Sequence, residues 1–277
     1  MSDSRPAGPL ALAAPVSGPP GAPVLVLGNS LGTSSEVWDR QLRAFTEHFR
    51  VLRFELPGHG GSPAGQGPYT VGGLGRGVLA LLDELGVDRA GYCGISLGGM
   101  IGIWLGAHAP DRIAALGLVC TSAYLPPAQG WQSRAAQVRA DGMASISAQV
   151  VSRWFPPSYA ASEPAVIEAF TAGLERTDPE GYAGCCEAIA VMDQRPDLAS
   201  ITAPALVIAG ADDPATPPEH GSVIAGGIPG ARLEIVAGAA HLAAVSAAGP
   251  VTSMLVQHLR AAAEGGAAWP DGRYHAL

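Results

Sequence analysis

Lysine is absent from this 277-residue chain: all 16 of its basic residues are arginine. Every chemistry that begins with a lysine amine is thereby excluded, from Schiff-base formation to the phosphate-gripping lysine of a Walker loop. Charge of either sign is scarce. Only 14% of residues are charged against 48% hydrophobic, and the formal net charge is -8. That hydrophobic content excludes a disordered chain, and the acidic balance makes a poor partner for nucleic acid or an anionic membrane. Cysteine is limited to four residues. Cys93 and Cys120 fall in apolar strand-like runs, and the adjacent Cys185 and Cys186 suit neither a usual bridge nor a zinc site. Behind Met1 to Pro6 comes a Pro/Gly/Ala stretch with no sustained apolar run, so neither a signal peptide nor a spanning segment is visible. A cytoplasmic location is the expectation.

Glycine, in contrast, is abundant, at 37 residues, and one pentapeptide uses two of them pointedly. Gly94-Ile95-Ser96-Leu97-Gly98 is a G-x-S-x-G sequence. The apolar run Ala90 to Cys93 precedes it as the end of a buried strand, and Gly99 to Leu105 follows it as an apolar helix. A serine on so sharp a strand-to-helix turn takes a strained backbone, and the flanking glycines let strand and helix approach closely. Its hydroxyl then stands above the sheet at the positive end of a helix.

The rest of the chain frames this turn. Residues 1–22 are Pro- and Gly-rich, with a short edge strand expected near Leu10–Ala13. Val24 to Leu27 reads as a strand running into the loop Gly28-Asn29-Ser30-Leu31-Gly32. The apolar spacing from Val37 to Phe49 predicts a helix, Val51 to Phe54 a strand, and Pro57 to Ser62 a turn. Val71 to Leu85 reads as a helix closed by Gly86, and Ile113 to Cys120 as a strand. Short apolar strands alternating with helices predict an α/β fold whose parallel sheet is covered on both faces. The alternation stops after Tyr124 and resumes with strands at Ala205 to Gly210 and Arg232 to Val236. Residues 1–123 and 201–277 are therefore expected to form the core, and 124–200 a helical lid over the strand ends. A final helix is expected at 247–262, with a Gly-rich tail at 265–277.

A serine nucleophile needs a base and a group to orient that base. In α/β-hydrolases these follow in the order Ser, Asp or Glu, His. The strand resuming after the lid ends at Asp212-Asp213, and the next strand is followed by His241 on a loop. Six other histidines fit less well: His59 sits in the Gly-rich turn, His220 near a helix start, and His48, His108, His258 and His275 at helix ends, late in a helix or in the tail. Position alone leaves Asp212 and Asp213 open. The oxyanion would be held by the backbone N–H of Leu97 and, from the loop after the first long strand, the N–H of Leu31.

At this point the chain resembles the 3-oxoadipate enol-lactonases, α/β-hydrolases of aromatic catabolism, over nearly its whole length. The loop Gly28 to Thr33, the turn Pro57 to Ser62 and the elbow Gly94 to Met100 carry the resemblance, as do Gly181 to Cys186, Ile208 to Pro218 and Ala239 to Leu242. The family's D-x-x-x-P spacing, met here by Asp213 and Pro217, favours Asp213 as the acid. Glu55 stands where relatives usually carry Asp. The resemblance implies hydrolysis of 3-oxoadipate enol-lactone, without a cofactor, and a functional link to a carboxymuconolactone decarboxylase, which some relatives carry in fusion. The substrate's free carboxylate calls for a cation in the pocket, and the lid offers Arg134, Arg139, Arg153 and Arg176. Trp131 and Arg134 share a helical face, so Arg134 is the candidate carboxylate partner, with Trp131 and Trp154 as apolar walls and Ser30 also in contact. Another small-molecule carboxylesterase or a cofactor-free haloperoxidase-like hydrolase would use the same groups. A non-catalytic ligand receptor on this fold is the remaining alternative.

Overall fold

Continuous apolar runs become strands buried on both faces. Val24–Gly28 (β2), Ala90–Ile95 (β4), Ile113–Val119 (β5) and Ala205–Gly210 (β6) are buried at every position, as a parallel sheet sandwiched between helices requires. With Val16–Ser17 (β1), Arg50–Arg53 (β3) and Arg232–Val236 (β7) they form one seven-stranded sheet in the order β1-β3-β2-β4-β5-β6-β7. Only β1 runs antiparallel to its neighbour. The structure, a computed structural model, describes residues 12–65, 67–264 and 269.

The helices of the core are Asp39–Thr46 (α1), Val71–Glu84 (α2) and Leu97–His108 (α3), then, after the helical segment, Pro218–Gly227 (α9), Ala243–Ser246 (α10) and Ala248–Glu264 (α11). The Thr70 side chain caps α2 by accepting from the Gly73 amide at 2.9 Å. Helix α3 is apolar on nearly all sides and is buried accordingly. Between β5 and β6 the chain builds α4 (Ala128–Asp141), α5 (Ser147–Val151), α6 (Pro157–Ser162), α7 (Pro164–Glu175) and α8 (Pro179–Ala190). Two ties fasten this segment where it leaves and rejoins the sheet: the Gln194 amide donates to the Ala123 carbonyl at 2.8 Å, and Tyr124 bridges Asp193. Helix α8 sits on the Pro57–Gly58 turn so closely that a Cβ at Gly181 would lie 2.4 Å from the Pro57 carbonyl.

Two local expectations need correction. The edge strand is Val16–Ser17; Leu10 lies outside the described residues, and Leu12 and Ala13 are not strand. Ala13 and Pro15 do offer carbonyls to Glu55 and Arg53 at 2.8 and 3.0 Å, but Pro15 has no N–H to return, so regular pairing begins only after it. The helix expected to reach Phe49 ends at Thr46, where the Phe45 carbonyl takes the amides of both His48 and Phe49. The final helix expected at 247–262 is present as α11, Ala248–Glu264, with the short α10 just before it. Most of the tail lies outside the described residues, but Trp269 is buried. It stacks on Phe49 at 5.3 Å and donates to the Val24 carbonyl at 3.0 Å.

Candidate active site

Ser96 occupies a backbone conformation that L-residues avoid, with φ 54° and ψ -116°. Its amide donates to Val119 and its carbonyl accepts the Thr121 hydroxyl at 2.6 Å, which hold the turn in place. The flanking glycines are there for space. A Cβ at Gly94 would lie 2.2 Å from the Gly98 carbonyl group, and one at Gly98 would lie 2.4 Å from the Gly28 oxygen. Either would push helix α3 off the sheet. The Tyr92 hydroxyl donates to the Gly98 carbonyl at 2.7 Å and pins the first turn of α3 to β4.

Asp213 follows β6 and is buried, whereas Asp212 is exposed. The carboxylate of Asp213 accepts from the amides of Ala215 (2.8 Å) and Thr216 (3.1 Å), from the Thr216 hydroxyl (2.8 Å) and from His241 Nδ1 (2.8 Å). Burial pushes its pKa up, but the adjoining His241 charge and the hydrogen bonds from His241 and Thr216 outweigh that and hold it below the ordinary aspartate value. An ionised Asp213 fixes the proton of His241 on Nδ1 and leaves Nε2 as a base. His241 itself is held close to the helical segment, because the next residue, Leu242, donates its amide to the Trp154 carbonyl at 2.9 Å.

Ser96 and His241 line one cavity of about 330 Å³. Its walls also include Ser30, Leu31, Trp131, Arg134, Arg153, Trp154, Tyr182 and Thr216 and, among the described residues, no aspartate or glutamate. The Arg134 guanidinium lies 4.9 Å from the centre of the Trp131 ring, so the three-residue spacing on α4 does put both on one face. Arg139 and Arg176 are not among the lining residues; Arg139 is engaged by Glu180 and Glu187 instead. The amides of Leu31 and Leu97 have no protein acceptor among the described residues.

Sequence reasoning did not single out Tyr182 or Thr216 for these walls; Arg153 was among the four lid arginines it offered. Tyr182 lay inside the G-Y-A-x-C-C segment and Thr216 inside the D-x-x-x-P spacing, which were the available signals. Burial raises the Tyr182 phenol, while Arg134 beside it acts in the opposite direction. His59, read as a turn residue, and Glu55, read as a departure from the family's usual Asp, contact the loop that carries Leu31. The four cysteines are free and buried. No group of three or more His, Cys, Asp or Glu among the described residues gathers as a metal site, and no helix among them is long and apolar enough to cross a membrane.

A family model described as alpha/beta hydrolase fold matches residues 23–248. The chain belongs to the α/β hydrolase family. It is 40% identical over 223 residues to 3-oxoadipate enol-lactonase 2 of Acinetobacter baylyi, a match spanning 80% of this chain and 83% of the relative. It is a carboxylic ester hydrolase. Its fold is similar to the crystal structure of the enol-lactonase from Burkholderia xenovorans LB400, with a TM-score of 0.89 and 39% identity over 92% of this chain and 98% of the other. A hydrolase from Pseudomonas aeruginosa PA01 is similar at a TM-score of 0.87 and 44% identity, covering 90% and 94% of the two chains.

Proposed function

We propose that this protein hydrolyses 3-oxoadipate enol-lactone to 3-oxoadipate, with Ser96 as nucleophile, His241 as general base and Asp213 as its orienting acid. The observation that carries the substrate reading is the lining of the cavity. In a protein of net charge -8, the walls around Ser96 hold two arginines and, among the described residues, no carboxylate. Such a pocket selects an ester or lactone that is itself an anion. The enol-lactonases among its relatives support the same choice.

In this reading His241 Nε2 takes the Ser96 proton as the hydroxyl attacks the lactone carbonyl, and the resulting oxyanion is held by the amides of Leu31 and Leu97. Collapse opens the ring. The leaving enolate stays tethered to the acyl chain and takes the proton from the His241 imidazolium, giving the ketone, which draws the reaction forward and leaves His241 neutral again. Water, activated by His241, then releases the acid. Arg134 receives the free carboxylate, with Trp131, Trp154 and Ser30 shaping the walls. A cytoplasmic location and a functional link to a carboxymuconolactone decarboxylase belong to the same proposal.

Replacing Arg134 by Ala tests it. A charge-assisted hydrogen bond to the substrate is worth about 1.5–3 kcal/mol, so KM for the enol-lactone should rise about tenfold to a hundredfold. Turnover of neutral p-nitrophenyl acetate should barely change. An unchanged lactone KM removes Arg134 from the substrate site. A wild-type preference for the neutral ester turns the reading towards a general carboxylesterase.

A further inference from the structure

The loop carrying Leu31 is held by side chains from the turn after β3, and one of them has a chemistry that the reaction scheme above does not use. Two peptide planes flank Leu31. The Ser30–Leu31 plane is fixed through its carbonyl, which accepts the Thr33 amide at 3.1 Å and the Thr33 hydroxyl at 2.9 Å. The Leu31–Gly32 plane is fixed through its N–H, which donates to His59 Nε2 at 2.9 Å. Gly32 itself has φ 81°, a left-handed conformation that glycine adopts freely and that therefore needs an external brace.

His59 is suited to that task. Its Nδ1 lies 2.8 Å from the Pro57 carbonyl, which can only accept, so Nδ1 carries the proton and Nε2 is bare. The ring is fully buried, and burial lowers its pKa to about 4, so at neutral pH it stays an acceptor. Glu55 braces the same loop from the other side. Its carboxylate takes the Asn29 side-chain amide at 2.9 Å and the Ser35 amide at 3.0 Å. The Asn29 carbonyl in turn accepts the Gly98 amide at 3.0 Å, tying the loop to the first turn of α3.

We propose that His59 is a positioning residue for oxyanion stabilisation, holding the Leu31–Gly32 peptide so that the Leu31 amide is aimed at the developing negative charge. The inference rests on the reading of Ser96 as an acylating nucleophile. His59 also stacks on Tyr182, with ring centres 6.4 Å apart, so the test must separate packing from hydrogen bonding. His59→Phe keeps a ring against Tyr182 and loses the acceptor. His59→Gln loses the ring and keeps an acceptor that reaches Gly32. His59→Asn is too short to reach it.

The experiment compares the full-length wild type, these three variants and Ser96→Ala, each checked for folding by circular dichroism. Hydrolysis of enol-lactone and p-nitrophenyl acetate is measured, together with inhibition by phenylboronic acid, which forms a tetrahedral anionic adduct on a reactive serine. Outright loss of an oxyanion donor costs about a hundredfold to a thousandfold, so misaiming one in His59→Phe and His59→Asn should lower kcat about tenfold to a hundredfold. KM should stay near the wild-type value, boronate affinity should fall in parallel with kcat, and His59→Gln should recover most of both. Full activity in folded His59→Phe would overturn the inference. So would equal activity in the Asn and Gln variants, a comparison that stands even if the Phe variant does not fold. Wild-type protein without Ser96-dependent turnover of either ester would instead refute the hydrolase mechanism on which the inference rests.

Discussion

Acidification from pH 7 to pH 4 should remove a definable part of the folding stability through His59 alone. Burial, only partly offset by the Pro57 hydrogen bond and the Asp178 charge, lowers its pKa from 6.5 to about 4. At 1.36 kcal/mol per pH unit, that difference amounts to about 3 kcal/mol. The sign follows from proton counts. Below pH 6.5 the unfolded chain binds a proton at this position, and the folded chain does not until about pH 4. The stability is fully present above 6.5, is lost steadily down to about 4, and falls no further on this account below that. His258, also lowered chiefly by burial, adds a loss of the same sign. Glu55, raised chiefly by burial, acts in the opposite direction as it takes up its proton early. Urea denaturation at several pH values, extrapolated to water, gives the curve. His59→Gln isolates the contribution, because both proteins share every other titrating group. The wild type should lose about 3 kcal/mol more than the variant between pH 7 and pH 4. Parallel curves would refute the assignment of a buried, neutral His59.

Other perturbations discriminate as sharply. Asp213→Asn should cut kcat on the order of ten-thousandfold by releasing the His241 tautomer, while Asp212→Asn, exposed and outside the hydrogen-bond set, should leave kcat near wild type; steady-state kinetics on both variants decides between the two aspartates. Trp269→Ala should destabilise the fold by about 3–5 kcal/mol, since it empties the space between Phe49 and β4, and a denaturation midpoint no lower than wild type would show that the tail contributes nothing to the core. Arg134→Ala should separate lactone KM from neutral-ester kinetics, as set out above.

The parallel core was legible because burial on both faces leaves continuous apolar strands, and β2, β4, β5 and β6 announce themselves in that way. The serine turn was legible for a steric reason: Gly94 and Gly98 stand where a Cβ would strike backbone, so the spacing is a direct record of the geometry. Strand placement alone left Asp212 and Asp213 open, because both follow β6; the D-x-x-x-P spacing of the resembled family favoured Asp213, and burial of Asp213 against exposure of Asp212 distinguishes them in the fold. Trp269 was missed because a single aromatic in a Gly-rich stretch has no periodicity. The contacts of His59 and Glu55 were not legible because their partners, Gly32 and Asn29, lie 27 and 26 positions away in sequence. Long-range polar contacts of this kind leave no local signature, and the same holds for Tyr182, which reaches the cavity from α8.

The central claim is that Ser96 opens an anionic enol-lactone. Ultraviolet-monitored loss of 3-oxoadipate enol-lactone, generated in situ, by purified wild-type protein beside Ser96→Ala tests it most directly. Rapid loss with the wild type and none above background with the variant is the predicted result. An intact lactone in the presence of wild-type protein, alongside Ser96-dependent cleavage of simple esters, would contradict the substrate assignment; lactone loss that survives in Ser96→Ala would contradict the mechanism.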